Sequence, residues 1–327
     1  MKQRINILCT LGPSSLNKSF LEFTNRNVDL LRLNMSHVKL KNLETTINYI
    51  RKYSNVPICI DTEGAQIRTK VTFKKRVLSN RLITLNKSKG NFKLYPENVF
   101  GLLKLGDLID IGFEGLEVKV KKIMKSKIIL ICTKTGILET NKGVHIKNRK
   151  IPLNYLTDKD HESIKIGKKL NIKNYALSFT NTKKDIIKFN NLLKKTKKIY
   201  KIETALALKN FKTLEKYGNY FLIDRGDLSK SINTEMIPYA QRYLFKKRKK
   251  NTKIAVATNF LESMIENPYP TRAEANDIYN SLEMGSNGLV LAAETAIGKY
   301  PIKCVEFLIK MIRTYKSKHK LNFNFNF

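Results

Sequence analysis

Short β-branched runs alternate with longer stretches of helical periodicity along this chain, the pattern of βα units on a parallel sheet. Eight runs predict strands: Ile5–Cys9, Leu30–Leu33, Ile58–Ile60, Tyr175–Leu177, Ile199–Ile202, Phe221–Ile223, Ile254–Val256 and Gly288–Leu291. Segments of helix length lie between most of them. In the last of these, Cys304, Phe307, Leu308, Met311 and Ile312 share one face, with Pro301 in the first turn. One interval breaks the rhythm. Between Arg68 and about Leu153 the chain alternates with period two, as in "LEVKVKKI", "SKIILICTK" and "VHIKN", and Gly, Asn and Asp punctuate it. That predicts an inserted antiparallel β module of roughly 85 residues. The expected fold is α/β, a (β/α)8 TIM barrel with an inserted small β-barrel-like domain. The expected divisions are 1–69 and 155–316 for the barrel, 70–154 for the insertion, and 317–327 for a basic, low-complexity tail ending in "NFNFNF".

Length and composition agree with this reading. The 327 residues, 42% hydrophobic, suffice for a barrel of roughly 250 residues and one small domain. No stretch approaches the roughly 20 apolar residues of a membrane helix. The opening "MKQRINILCTLGP" lacks the apolar run and cleavage site of a signal peptide, so a cytoplasmic protein is expected. Cys9, Cys59, Cys132 and Cys304 have no paired spacing and read as buried free thiols. His37, His145, His161 and His319 form no ligand cluster.

Charge adds a choice of partners. The formal net charge is +35, from 62 Lys+Arg against 27 Asp+Glu. Such an excess suits nucleic acid and also steers small anionic substrates. The lysines are spread out and not gathered into a stripe, which favours solvated faces over a nucleic-acid partner. The densest run, Lys246 to Lys250, ends a predicted helix, where cations complement the dipole.

In such a barrel, residues just past the C-terminal ends of the strands meet in one cup. Those positions hold Arg32, Asn34, Ser36 and His37, then Asp61, Thr62 and Arg68, then Lys201 and Glu203, then Arg225, Gly226 and Asp227, then Thr258, and finally Glu294 and Thr295. Two arginines and a lysine suit phosphate. Glu203 and Asp227 offer hard oxygens suited to Mg²⁺. Asn34, Ser36, Asp61 and Thr62 could hold a monovalent cation. Alternatively, these charges pair as Arg–Asp and Lys–Glu bridges that close the barrel end. Gly226 allows backbone N–H groups to approach an anion.

The same positions carry motifs that resemble the pyruvate kinase family over almost the whole chain: "ILCTLGPSS" (7–15), "LLRLNMSH" (30–37), "DTEGAQIRT" (61–69), "KIET" (201–204), "DRGDL" (224–228), "ATNFLESMIENPYPTRAEAND" (257–277) and "LAAETAIGKYP" (291–301). The resemblance implies phosphoryl transfer from phosphoenolpyruvate to ADP, giving ATP and pyruvate. It implies Arg32 and Arg68 on the phosphate and Lys201 on the phosphoryl group in flight and on the enolate oxygen. It places Mg²⁺ on Glu203 and Asp227, the substrate carboxylate on the N–H groups of Gly226 and Asp227, and Thr258 near the methylene carbon. It places K⁺ on Asn34, Ser36, Asp61 and the Thr62 carbonyl. Pro13, Asn34, His37, Arg68 and Lys159 would face the nucleotide, and the insertion would close as a lid that excludes water.

Several positions depart from the family's pattern. Gln66 stands where a glutamate linked to potassium dependence is usual, Glu63 replaces a lysine and Ala65 a proline. Asp224 replaces an alanine beside the metal loop, and Ala292 and Ala293 replace Ser-Gly. Loss of that serine from the proton-delivery network predicts slower enolate protonation or another water path. The chain ends soon after its eighth barrel helix, where the family continues into a regulatory domain. The expectation is therefore no activation by sugar phosphates, and a homodimer before a tetramer. Two other readings stay open at this point: a Mg²⁺-dependent barrel lyase or decarboxylase acting on pyruvate-enolate-type acids, and a non-catalytic descendant binding RNA or a partner through its basic surface.

Overall fold

The computed structural model describes residues 4–112, 115–149 and 151–317; the expected tail beyond Ser317, with His319, lies outside the described residues. The chain divides into two compact units, Met1–Gly64 with Asp158–Phe327, and Ala65–Thr157.

In the first unit, eight parallel strands close into a barrel: β1 (Asn6–Thr10), β2 (Leu30–Asn34), β3 (Ile58–Asp61), β4 (Asn174–Leu177), β5 (Lys197–Ile202), β6 (Tyr220–Asp224), β7 (Lys253–Ala257) and β8 (Gly288–Leu291). The hydrogen-bonded order runs from β1 through β8, β7, β6, β5, β4 and β3 to β2. Each strand matches a run expected from the sequence to within two residues at either end. Leu8, Cys59, Ala176, Ile199, Leu222, Ala255 and Val290 pack together as a buried cluster drawn from nearly every strand, a filled barrel core and not a pore. Helices connect the strands, and several begin on side-chain caps that satisfy otherwise orphaned N–H groups. Thr182 with Asp185 and Thr271 with Glu274 form complete capping boxes. The last helix, Pro301–Ser317, buries Cys304, Val305, Leu308 and Ile312. All four cysteines are free and buried. In the basic run at Lys246–Lys250, the lysines are exposed while Arg248 turns inward, donating to the Gly285 carbonyl at 2.9 Å. That helix end is therefore only partly a solvated one.

The second unit is antiparallel throughout. Its seven-stranded sheet runs in the order Leu82–Asn86, Lys127–Lys134, Leu116–Ile123, Leu108–Ile111, Gly143–Ile146, Ile67–Val71 and Phe92–Tyr95, and a two-stranded ribbon pairs Gly136–Leu138 with Lys75–Val77. Period-two alternation sets its faces. Leu116, Val118 and Val120 are buried while Lys119 and Lys121 are exposed; Ile128, Leu130 and Cys132 are buried on the neighbouring strand. These side chains join Leu85, Val99 and Ile109 in a core belonging to this unit alone. No described helix is long and apolar enough to cross a membrane.

Candidate active site

Four strands set the centre of the site. Arg32 sits in β2, Asp61 ends β3, Lys201 lies in β5 with Glu203 just beyond it, and Asp224 ends β6. All five are buried. Lys201 Nζ lies 2.6 Å from Glu203 Oε1, 3.2 Å from Asp224 Oδ2 and 3.5 Å from Asp61 Oδ2. Arg32 Nε lies 2.8 Å from Asp61 Oδ2. Arg–Asp and Lys–Glu pairing at the barrel end is thus present, but its stoichiometry is unbalanced: two cations face three buried carboxylates. Arg32 Nη1, also buried, has no hydrogen-bond partner among the described residues.

Electrostatics follow from this crowding. Burial alone would depress the Lys201 ammonium, but Asp61, Glu203 and Asp224 together raise its pKa well above the usual lysine range. Burial, reinforced by Asp227 and Asp224 and opposed by Lys201, pushes Glu203 up to about 8. Burial would raise Asp224 as well, yet Lys201 and Arg32 hold it below the ordinary carboxylate range. Of these two carboxylates, Glu203 therefore keeps a proton more readily than Asp224.

Asp227 follows in the short helix Arg225–Leu228, half-buried, with Oδ1 2.8 Å from Lys230 Nζ. The carboxylates of Glu203, Asp224 and Asp227 bring their ligand atoms within 4.8 Å of one another. The two N–H groups of this turn already have acceptors inside the chain. Gly226 N donates to Thr258 Oγ1 at 2.8 Å, and Asp227 N donates to Asp224 Oδ1 at 3.4 Å. Thr258 has φ +73 and Asn259 φ +57, an unfavourable region for a β-branched residue and a form of strain that clusters at functional sites. Arg225 secures that turn: its Nε donates to the Thr258 carbonyl at 3.1 Å and its Nη1 pairs with Asp277 at 2.6 Å.

The residues assigned to a monovalent cation lie on adjoining strand ends. Asn34 pairs in register with Asp61, and Asn34 Oδ1 accepts from Ser36 N at 3.0 Å. Thr62 Oγ1 accepts from Ser178 N at 3.0 Å. His37 and Pro13 are exposed beside β2 and β1. Lys159, in the helix Asp158–Lys169, does not reach into open space: its ammonium donates to the Met35 carbonyl and lies 3.0 Å from Glu63 Oε1. Arg68 and Gln66 belong to the second unit; Arg68 is in the strand Ile67–Val71 and its Nη1 donates to the Asn141 carbonyl at 3.1 Å.

Two positions change their meaning. Glu294, one of the rim acids in the sequence, is buried and turned toward backbone: Oε1 accepts from Phe260 N and Leu261 N at 3.2 Å, and Oε2 from Ala292 N at 2.7 Å. Thr295 donates to the Thr10 carbonyl at 2.9 Å. Both hold loops in place. Conversely, Ser178, just past β4, was not singled out from the sequence. Its Oγ donates to Asp61 Oδ1 at 3.2 Å and is 3.4 Å from Lys201 Nζ. Asp160 was missed too; buried, it accepts from Glu63 N at 2.7 Å and Gly64 N at 3.0 Å.

Comparison with known proteins gives concordant matches. The family described as pyruvate kinase, barrel domain, matches residues 2–305. A pyruvate kinase of Thermotoga maritima is 32% identical over 330 residues, covering 95% of this chain and 71% of that protein. One of Methanocaldococcus jannaschii is 31% identical, covering 96% of this chain and 70% of that protein. One of Staphylococcus epidermidis is 30% identical, covering 93% of this chain and 55% of that protein.

Proposed function

The chain belongs to the pyruvate kinase family, a family of phosphotransferases, and from that membership we propose that it transfers the phosphoryl group of phosphoenolpyruvate to ADP, giving ATP and pyruvate. The observation that carries this reading is the convergence of Arg32, Lys201, Glu203 and Asp227 on the C-terminal ends of β2, β5 and β6. A barrel that is only structural has no need of an unbalanced buried cluster with an unpartnered guanidinium N–H.

In this reading Arg32 takes the phosphate through Nη1, the donor that lacks a partner among the described residues. The enol oxygen releases the phosphoryl group to the β-phosphate of ADP. Lys201 faces the negative charge that passes from phosphoryl oxygens to the enolate oxygen. Charge fixed in place before reaction is the main catalytic contribution in transfers of this kind. The substrate carboxylate displaces Thr258 Oγ1 and Asp224 Oδ1 from the N–H groups of Gly226 and Asp227. The enolate then takes a proton at its methylene carbon beside Thr258, and the absence of a hydroxyl at Ala292 leaves that proton to water.

The donor set fits the divalent ion the family uses. Glu203 and Asp227 present hard oxygens within 4.8 Å, and the buried cluster holds more carboxylates than cations. When bound, Mg²⁺ neutralises charge on substrate oxygens. Asn34, Ser36, Asp61 and Thr62 would hold K⁺, sharing Asp61 with Arg32 and Ser178. Pro13, Asn34 and His37 face the nucleotide, and Lys159 joins them once it leaves Glu63. Assembly of like subunits belongs to the same proposal.

The test is a coupled assay for pyruvate from phosphoenolpyruvate and ADP with Mg²⁺, with and without K⁺. Pyruvate formed only in the presence of ADP supports the reading; release of pyruvate from oxaloacetate without ADP would transfer it to a decarboxylase. Lys201→Met should lower kcat by roughly 10²- to 10³-fold or more, the scale for removing a charge-stabilising group.

A further inference from the structure

Asp224 has no place in the mechanism above except as an internal acceptor, yet it sits at the centre of the cluster. Its Oδ2 is 3.2 Å from Lys201 Nζ, and its ligand atom lies within 4.8 Å of those of Glu203 and Asp227. The resemblance read from the sequence puts an uncharged alanine at this position. Here a third carboxylate is buried beside two others, Asp61 and Glu203, with only Arg32 and Lys201 to balance them. Buried charges are kept where an opposite charge or a metal ion pairs with them. A second feature points to an occupant. Arg32 is 5% exposed, stands within electrostatic reach of Asp61, Asp224 and Glu203, and keeps Nη1 without a partner. Three carboxylates whose ligand atoms gather within 4.8 Å of one another, beside a buried donor still open to an anion, have the form of a site for a cation together with an anionic ligand.

We infer that Asp224 is a third carboxylate ligand of the divalent cation, so that this chain binds the ion before substrate arrives. A two-carboxylate site leaves most positions of a hard cation to water and substrate oxygens; a third fixed anionic oxygen raises affinity for the free protein. The ion also competes with Lys201 for Asp224. Lys201 Nζ now occupies the cation's place between Glu203 and Asp224, at 2.6 and 3.2 Å. Transfer of Asp224 from the ammonium to the ion frees Lys201 to turn toward the substrate. The metal assignment of Glu203 and Asp227 rests on the proposed function; the role of Asp224 is tested without turnover.

The experiment is a titration of the full chain with Mn²⁺ alone, followed by the electron paramagnetic resonance signal of the free ion, with no phosphoenolpyruvate or nucleotide present. The wild-type chain should bind one ion. Asp224→Asn and Asp224→Ala, checked for folding by circular dichroism, should bind it roughly 10- to 100-fold more weakly, the scale of losing one element of a metal site. No binding by the wild-type chain without substrate overturns the inference. So does unchanged affinity in either folded variant, which would leave Asp224 as a partner of Lys201 only. A chain that binds Mn²⁺ through Asp224 but forms no pyruvate from phosphoenolpyruvate leaves this inference standing and defeats the proposed function instead.

Discussion

Lys201 is in contact with three carboxylates at once, and the consequences reach stability as well as chemistry. Removing its ammonium leaves Asp61, Glu203 and Asp224 facing one another in a buried site. Breaking a buried pair from one side costs about 3–5 kcal/mol. Lys201→Met should therefore unfold at clearly lower urea than the wild-type chain, and added Mn²⁺ should recover part of the loss. Glu203 gives a pH signature of its own. Its ordinary value is 4.5 and burial with its neighbours pushes it up to about 8. Between those values the folded chain holds a proton that the unfolded chain has released. The stabilisation from this group is present in full below about 4.5 and is lost as pH rises through about 8. Glu203→Gln mimics the protonated form at every pH. The metal-free variant should gain stability relative to wild type as pH rises from 5 to about 8, read from urea midpoints; parallel profiles for the two proteins would refute this. Most of these residues were legible in the sequence because each lies at or just past the end of a predicted strand. Ser178 was not. A lone serine in "LSFT" has no motif, and only the closed ring of strands places it against Asp61 and Lys201.

The loops that follow β7 and β8 show what a strand pattern leaves out. Alternation and helical periodicity are local, so strands and the inserted module could be read directly. The joining of two loops through space is not local. Glu294 was read as a rim acid because it follows β8, whereas it accepts from three backbone N–H groups, two of them buried and beyond β7. Each buried donor left unsatisfied costs about 1–3 kcal/mol. With two buried donors orphaned, Glu294→Ala should lose about 2–6 kcal/mol of stability in chemical denaturation. It should also lower kcat, since Phe260 and Leu261 follow directly on the strained turn at Thr258 and Asn259. Glu294→Gln, which retains an acceptor, should recover most of the stability. A Glu294→Ala chain with unchanged denaturation would show that the loops are held by other contacts. The pairing of Lys159 with Glu63 was hidden for the same reason: the residues are 96 apart in sequence and meet only because the chain leaves the barrel and returns beside the same strand end.

At the scale of the molecule, a basic exterior surrounds a carboxylate-rich buried cluster. The chain as a whole carries a formal charge of +35, while the buried cluster around Lys201 holds more carboxylates than cations. The exterior field acts over distance and is screened by salt, with a Debye length that falls from about 30 Å at 0.01 M to about 8 Å at 0.15 M. The cluster acts at contact and is screened far less. Under the proposed reaction the anionic substrates are drawn by the exterior, so kcat/KM should fall as a non-coordinating salt is raised at fixed Mg²⁺ and K⁺. A divalent cation is repelled by the exterior and held by the cluster, so Mn²⁺ affinity should hold steady or rise over the same range. Opposite slopes would mean that the lysines, spread over many faces, serve as a guiding field for small anions. If both quantities weaken in parallel, the charge acts at the site itself. If the chain is instead retained on nucleic acid with a steep salt dependence, the basic surface belongs to a partner that the barrel chemistry does not explain.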